Sequence, residues 1–228
     1  MSDIAFSVDG VFDALAVQPI KGAGGGRALM VVAARRREGV TTAAMHIAMA
    51  PGPRATYALD LDLKRNGLAR AISAQASLGP RTDGRMNGVA FYNLKTATGL
   101  PMEEATPAFG YHRLGRTRTY VGVFDARALP SGARVSVSAE PDYWCATRAG
   151  GANIIVDAPS LERSDLALRV APYMDGVVMV VGADRGAAPA AIAAKAALEN
   201  AGANVIGLIY AGASAPVMAI ERLMRQIG

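Results

Sequence analysis

Three short stretches hold residues whose types and spacing could do phosphate or metal chemistry. The first is Ala34 to Thr41, ARRREGVT, set between an apolar run and an alanine-rich one. In a phosphate loop of the pattern G-x-x-x-x-G-K-[ST], glycines let backbone N–H groups approach the phosphates. The lysine reaches the β and γ groups, and the hydroxyl holds magnesium. Here Gly39 and Thr41 occupy the second glycine and hydroxyl positions, whereas Ala34 stands at the first glycine and Val40 at the lysine. Valine removes a cation from a place where a triphosphate carries roughly four negative charges. Either Arg35, Arg36 and Arg37 compensate or turnover is lost; the other reading of the three arginines is an exposed loop face.

The second stretch is Asp60-Leu61-Asp62 at the end of the apolar run TYALDL, and the third is Asp157, ending ANIIVD. Carboxylates at the carboxyl ends of buried strands lie where a parallel sheet opens its ligand crevice. Two of them one residue apart on a strand can face the same side and orient hydrated magnesium. Helix capping or turn formation is the other job open to each aspartate.

These residues need a scaffold, and the chain spells one out. KGAGGGR at 21–27 is too rich in glycine to hold a helix or strand and reads as a linker into the buried strand ALMVVAA at 28–34. TTAAMHIAMA then favours helix until Pro51, Gly52 and Pro53 stop it. A second unit follows: a strand at 56–61 and a short helix around 68–74. Further strands are expected at 119–124, 152–157, 176–181 and 204–210, the last three continuously apolar and read as central strands covered on both faces. A helix is expected at 141–149. Another runs from Ala187 to Ala201, with Asp184 as N-cap, Pro189 in its first turn and Gly202 past its end. Val217, Ile220, Leu223, Met224 and Ile227 recur at helical spacing and make an amphipathic closing helix. Residues 75–118 scatter Gly, Pro, Thr and Arg without a sustained period, and no element is assigned to them. Alternating strands and helices predict an α/β fold with a mainly parallel central sheet and helices on both faces.

The 228 residues suffice for one core, and half of them are hydrophobic, which excludes a disordered chain. The lone Cys145 cannot form an internal disulfide, and no Cys/His cluster has metal-ligand spacing, so a reducing compartment fits. The first residues carry three aspartates without a basic leader region, and no apolar run approaches the roughly 18 residues of a membrane span. A soluble, cytoplasmic chain is the expectation. The formal charge of +5 permits attraction to nucleic acid or anionic lipid without requiring it; Arg113, Arg116 and Arg118 form a second basic cluster.

Taken together, the motifs resemble the MinD/ParA group of P-loop ATPases, and within it the bacterial tyrosine kinase (BY-kinase) domains of capsule and exopolysaccharide synthesis. The Walker A loop of that family reads like S-A-x-P-G-E-G-K-[ST]-T; here Ala33 to Thr42 reads AARRREGVTT, matching at Glu38, Gly39, Thr41 and Thr42. Its Walker A′ pattern, three apolar residues and D-x-D-x-R, is met by YALDLDLK with Lys64 for arginine. Its Walker B segment, V-I-I-D-T-P-P, is met by IIVDAPS with Asp157, Pro159 and Ser160. Arg35 falls where the MinD/ParA branch carries a signature lysine. The resemblance spans about residues 28–228, a P-loop NTPase-like three-layer α/β/α domain after an N-terminal extension and linker at 1–27.

The resemblance implies catalytic carboxylates at Asp60, Asp62 and Asp157. It implies a nucleotide site along Arg35, Arg36, Arg37, Glu38, Gly39, Val40, Thr41 and Thr42, and magnesium held by Thr41, Asp60 and Asp157. The cofactor would be ATP or ADP with magnesium, bound weakly. Val40 and the lack of a tyrosine cluster in ERLMRQIG imply a pseudokinase. The implied role is in exopolysaccharide biosynthesis and export, of capsule or holdfast type, as cytosolic partner of a membrane polysaccharide copolymerase. A homo-oligomer is compatible with this, peripheral attachment at the inner membrane would come through the partner, and no nucleic acid is expected. The alternative is a MinD/ParA-type positioning ATPase that binds DNA or membrane.

Overall fold

The strand expected after the glycine-rich segment is β1 (Ala28–Ala33), six residues with no solvent exposure at all. Its side chains alternate between two cores. Ala28, Met30 and Val32 join one apolar cluster, and Leu29, Val31 and Ala33 join the other, so both faces of this strand are covered. The computed structural model describes residues 6–103, 107–138, 140–184 and 186–211.

Around β1 the chain lays out α1 (Val8–Ala16), α2 (Val40–Met49), β2 (Thr56–Asp60), α3 (Gly67–Ser73), β3 (Leu78–Asp83), β4 (Tyr92–Lys95), β5 (Pro101–Met102), β6 (Phe109–Leu114), β7 (Thr119–Phe124), β8 (Arg134–Val137), α4 (Asp142–Ala149), β9 (Asn153–Asp157), α5 (Leu166–Val170), β10 (Gly176–Gly182), α6 (Ala187–Asn200) and β11 (Val205–Ala211). The main sheet has eight strands in the order β11-β10-β1-β9-β2-β7-β6-β3. It is parallel from β11 to β7 and antiparallel from β7 to β3. One face packs residues of α1, α2 and α3; the other packs α4, α5 and α6. This is the α/β architecture with a mainly parallel central sheet that the alternation of strands and helices predicts.

Residues 75–118, which show no period, hold the antiparallel part. β3 and β6 extend the main sheet, and β4 and β5 pair with β8 in a separate three-stranded sheet. These strands are short and partly exposed, so their side chains lack the continuous apolar run that marks β1 or β10. Phe91, Tyr92 and Phe109 pack edge to face and bind the small sheet to the core.

Four expectations need correction. Residues 21–27 are more than a linker: Ala23–Gly25 form a short 3₁₀ helix. Their glycines permit close backbone approach, since a Cβ on Gly24 would lie 2.2 Å from the Ala149 carbonyl oxygen and one on Gly26 2.2 Å from that of Ala152. The residues before them form α1, whose Val11 and Leu15 are buried and whose last carbonyls, at Ala16 and beyond at Gln18, accept from the Arg27 guanidinium. Third, β11 ends the strand order among the described residues, with Leu208 and Tyr210 exposed, so it is not a central strand. Fourth, Gly186 rather than Asp184 is the N-cap of α6; the Asp184 carboxylate accepts from Gly186 N at 2.9 Å and from Arg35 just ahead of the helix. The closing helix expected at Val217 to Ile227 lies outside the described residues.

Candidate functional site

Strand order brings the three chemical stretches to one edge. β1, β9 and β2 are parallel neighbours, so the loop after β1, Asp157 at the end of β9 and Asp60 at the end of β2 all emerge on the same side. Asp60 and Asp157 are direct register partners. The Thr41 hydroxyl, in the first turn of α2, sits near enough to the Asp157 carboxylate to favour its ionised form. Gly67 leaves room between the elements: a Cβ there would sit 3.4 Å from Asp60 Oδ2 and 3.9 Å from Thr41 Oγ1, placing both atoms around one point. The cleft so formed encloses about 610 Å³.

Both carboxylates are nearly inaccessible, Asp60 at 6% and Asp157 at 4% exposure. Burial raises the pKa of Asp157 well above the usual carboxylate range, the Asp60 charge adds to this, and the Thr41 hydroxyl opposes it. Burial also raises Asp60, against backbone N–H groups that favour its ionised form. Asp62 N donates to Asp60 Oδ1 at 2.7 Å and Leu68 N to Oδ2 at 3.2 Å. Asp60 thus performs the capping job open to it, on the first turn of α3, while still facing the cleft. Asn66, in the left-handed region at φ 47°, clamps this turn to β7 through both amide atoms, at 2.8 Å to Phe124 N and O.

The loop itself is held from inside. Gly39 adopts φ 93° and starts α2 without a side-chain cap, so the helix presents its first N–H groups to the cleft. Arg37, where the family pattern has glycine, is also left-handed at φ 63°. Glu38 is buried, and its carboxylate accepts from Arg35 N at 3.1 Å and from Gly182 N at 3.3 Å, tying the loop to the end of β10. The Arg35 side chain has four of its five donors engaged. Its Nε and Nη2 reach Glu38 Oε1 at 3.0 and 2.9 Å, and Nη1 and Nη2 reach Asp184 at 3.0 and 2.5 Å. Arg36, Val40 and Thr42 line the cleft, the valine bringing no charge.

Sequence reading missed the arginines opposite the loop. Arg163 Nη1 lies 2.5 Å from Asp62 Oδ2, Arg65 Nε lies 3.5 Å from the same oxygen, and both arginines line the cleft. The signal for Arg163 was its place four residues past Pro159 in the segment following a strand-end aspartate. That segment continues along β1: Ala158 N, Leu161 N and Glu162 N donate to the carbonyls of Val31, Ala33 and Ala34, each at 3.0 Å.

Two buried carboxylates and a hydroxyl are hard oxygen donors suited to magnesium, which keeps several waters of its own. The residues therefore fit a magnesium–phosphate ligand at the carboxylates and helix terminus, but not at Val40.

No family model matches the chain, and no curated protein matches it. Among solved structures it is similar to the kinase domain of Escherichia coli tyrosine kinase ETK, at 17% identity and TM-score 0.47 over 82% of this chain and 68% of that one. It is also similar to the chimerical protein CapA2B2, at 14% identity and TM-score 0.48 over 89% and 82%. A third is the MinD cell division protein of Aquifex aeolicus, at 13% identity and TM-score 0.48 over 81% and 69%. No described helix is long and apolar enough to cross a membrane. The chain is an α/β protein with a mainly parallel central sheet and a charged cleft at the carboxyl edge of its central strands.

Proposed function

We propose that the cleft binds ATP or ADP with magnesium and turns it over slowly or not at all. One observation carries this: Asp60, Asp157 and Thr41 converge beside an uncapped helix N-terminus, while the lysine position holds valine. The first part supplies oxygen ligands for magnesium and N–H donors for phosphate. The second removes the charge that stabilises the transferring phosphoryl group. The motif resemblance extends the reading to a pseudokinase-like partner of a membrane polysaccharide copolymerase in exopolysaccharide biosynthesis and export.

Calorimetric titration with Mg-ATP and Mg-ADP tests the binding, and phosphate release tests turnover. Measurable affinity with negligible release is the expected result; brisk hydrolysis overturns the pseudoenzyme reading, and no binding at millimolar nucleotide overturns the site. Salt-dependent binding to nonspecific DNA would instead favour the positioning ATPase.

A further inference from the structure

We propose that Arg163 supplies the cationic contact to a bound polyphosphate that Val40 removes from the loop. This rests on the nucleotide reading of the cleft and names the residue that makes it workable. A substitute for the lysine must reach the ligand, be held in place, and keep donors to spare.

Arg35, the obvious candidate from sequence, has four of its five donors committed. Its Nε, Nη1 and Nη2 are spread over Glu38 and Asp184. Its guanidinium also lies over the end of β10, within 3.4 Å of a Cβ built on Gly182 and 3.1 Å of one on Gly186, held there by Glu38 and Asp184. Arg36 and Arg37 are exposed on the loop, and among the described residues no ion pair fixes either side chain. Arg65 is two-thirds exposed and its contact with Asp62 is 3.5 Å.

Arg163 meets all three conditions. The segment leading to it is stitched to β1 through Ala158, Leu161 and Glu162, and the Glu162 carboxylate accepts from Arg36 N at 2.9 Å, joining it to the loop itself. Its side chain is a third exposed, lines the cleft, and is anchored by Nη1 on Asp62 at 2.5 Å. A guanidinium has five donors in a planar fork, and one carboxylate leaves part of that fork for phosphate oxygens. Asp62 is then the positioning residue for Arg163.

The test is calorimetric titration of the full chain with Mg-ATP and Mg-ADP, comparing wild type, R163Q and R163K. Loss of a charge-assisted contact should weaken R163Q about tenfold or more, with part of the loss recovered in R163K and a shallower dependence on salt in R163Q. Melting points without nucleotide should agree among the three. Should R163Q not fold, phenylglyoxal labelling of the wild-type chain read by peptide mass replaces it: nucleotide is expected to shield Arg163, and unshielded labelling overturns the proposal. Wild-type binding that R163Q leaves unchanged overturns this inference alone. Absence of wild-type binding overturns the nucleotide reading and this inference with it.

Discussion

Asp60 and Asp157 are register partners on adjacent parallel strands, and each is the last residue of its strand. Neighbouring strands run about 4.8 Å apart, so the pair sets two buried carboxylates side by side where water is excluded. At the opposite end of β10 the chain handles a buried carboxylate differently. Asp175 accepts from Ala28 N at 2.6 Å and Lys21 N at 2.9 Å, and Arg148 Nη1 lies 3.6 Å away. One edge of the sheet pairs its carboxylate internally, and the other leaves a pair without an ion-pair partner among the described residues, in need of a proton or a counter-charge.

That need makes stability pH-dependent. Asp157 and Asp60 are raised by burial above their unfolded values of about 3.9. Between the unfolded and native values the folded chain holds protons that the unfolded chain lacks. Stability is therefore greatest at the acidic end of that interval and falls as pH rises through it. Urea denaturation across pH in metal-free buffer should show the decline, and millimolar magnesium should flatten it. Asp157→Asn should abolish most of the decline and stabilise the metal-free chain by about 1–2 kcal/mol near neutral pH.

Val40→Lys should tighten Mg-ATP binding by about tenfold or more, the worth of a charge-assisted hydrogen bond. Val40 is half-buried against the α2 core, so a small loss of melting temperature should accompany the gain. Titration calorimetry and a thermal melt check both. Unchanged affinity would mean that the loop does not present position 40 to phosphate.

Arg37 holds a left-handed backbone that costs an L-residue roughly 1–2 kcal/mol. Arg37→Gly should recover about 1 kcal/mol of stability in urea, after the entropy that glycine loses on folding. Gly39, at φ 93°, should respond oppositely, Gly39→Ala costing a similar amount.

Asp175→Ala should destabilise by about 3–5 kcal/mol, because it leaves the fully buried Arg148 guanidinium without its carboxylate. Chemical denaturation measures the loss. Nucleotide affinity of the folded fraction should stay unchanged, since Asp175 precedes β10 at the edge remote from the cleft.

Local chemistry was legible where it is periodic or dictated by backbone geometry. The apolar runs of β1, β9 and β10 match their observed spans to within a residue, because continuous burial on both faces demands continuous apolarity. The stop after α2 followed from Pro51, Gly52 and Pro53, and the end of α6 from Gly202 at φ 89°. β3 to β6 stayed hidden because antiparallel strands interrupted by Gly, Pro and charged residues depend on cross-strand partners rather than on a period of their own.

The sequence alone established which residues could bind phosphate or magnesium and that strands would deliver them. Only tertiary structure decided which charges meet. Arg35 is bound to Asp184, 149 residues away, and Arg163 reaches Asp62 across the cleft. The reason is that an ion pair is set by distance in space, and strand order, which no local pattern encodes, folds those distances in.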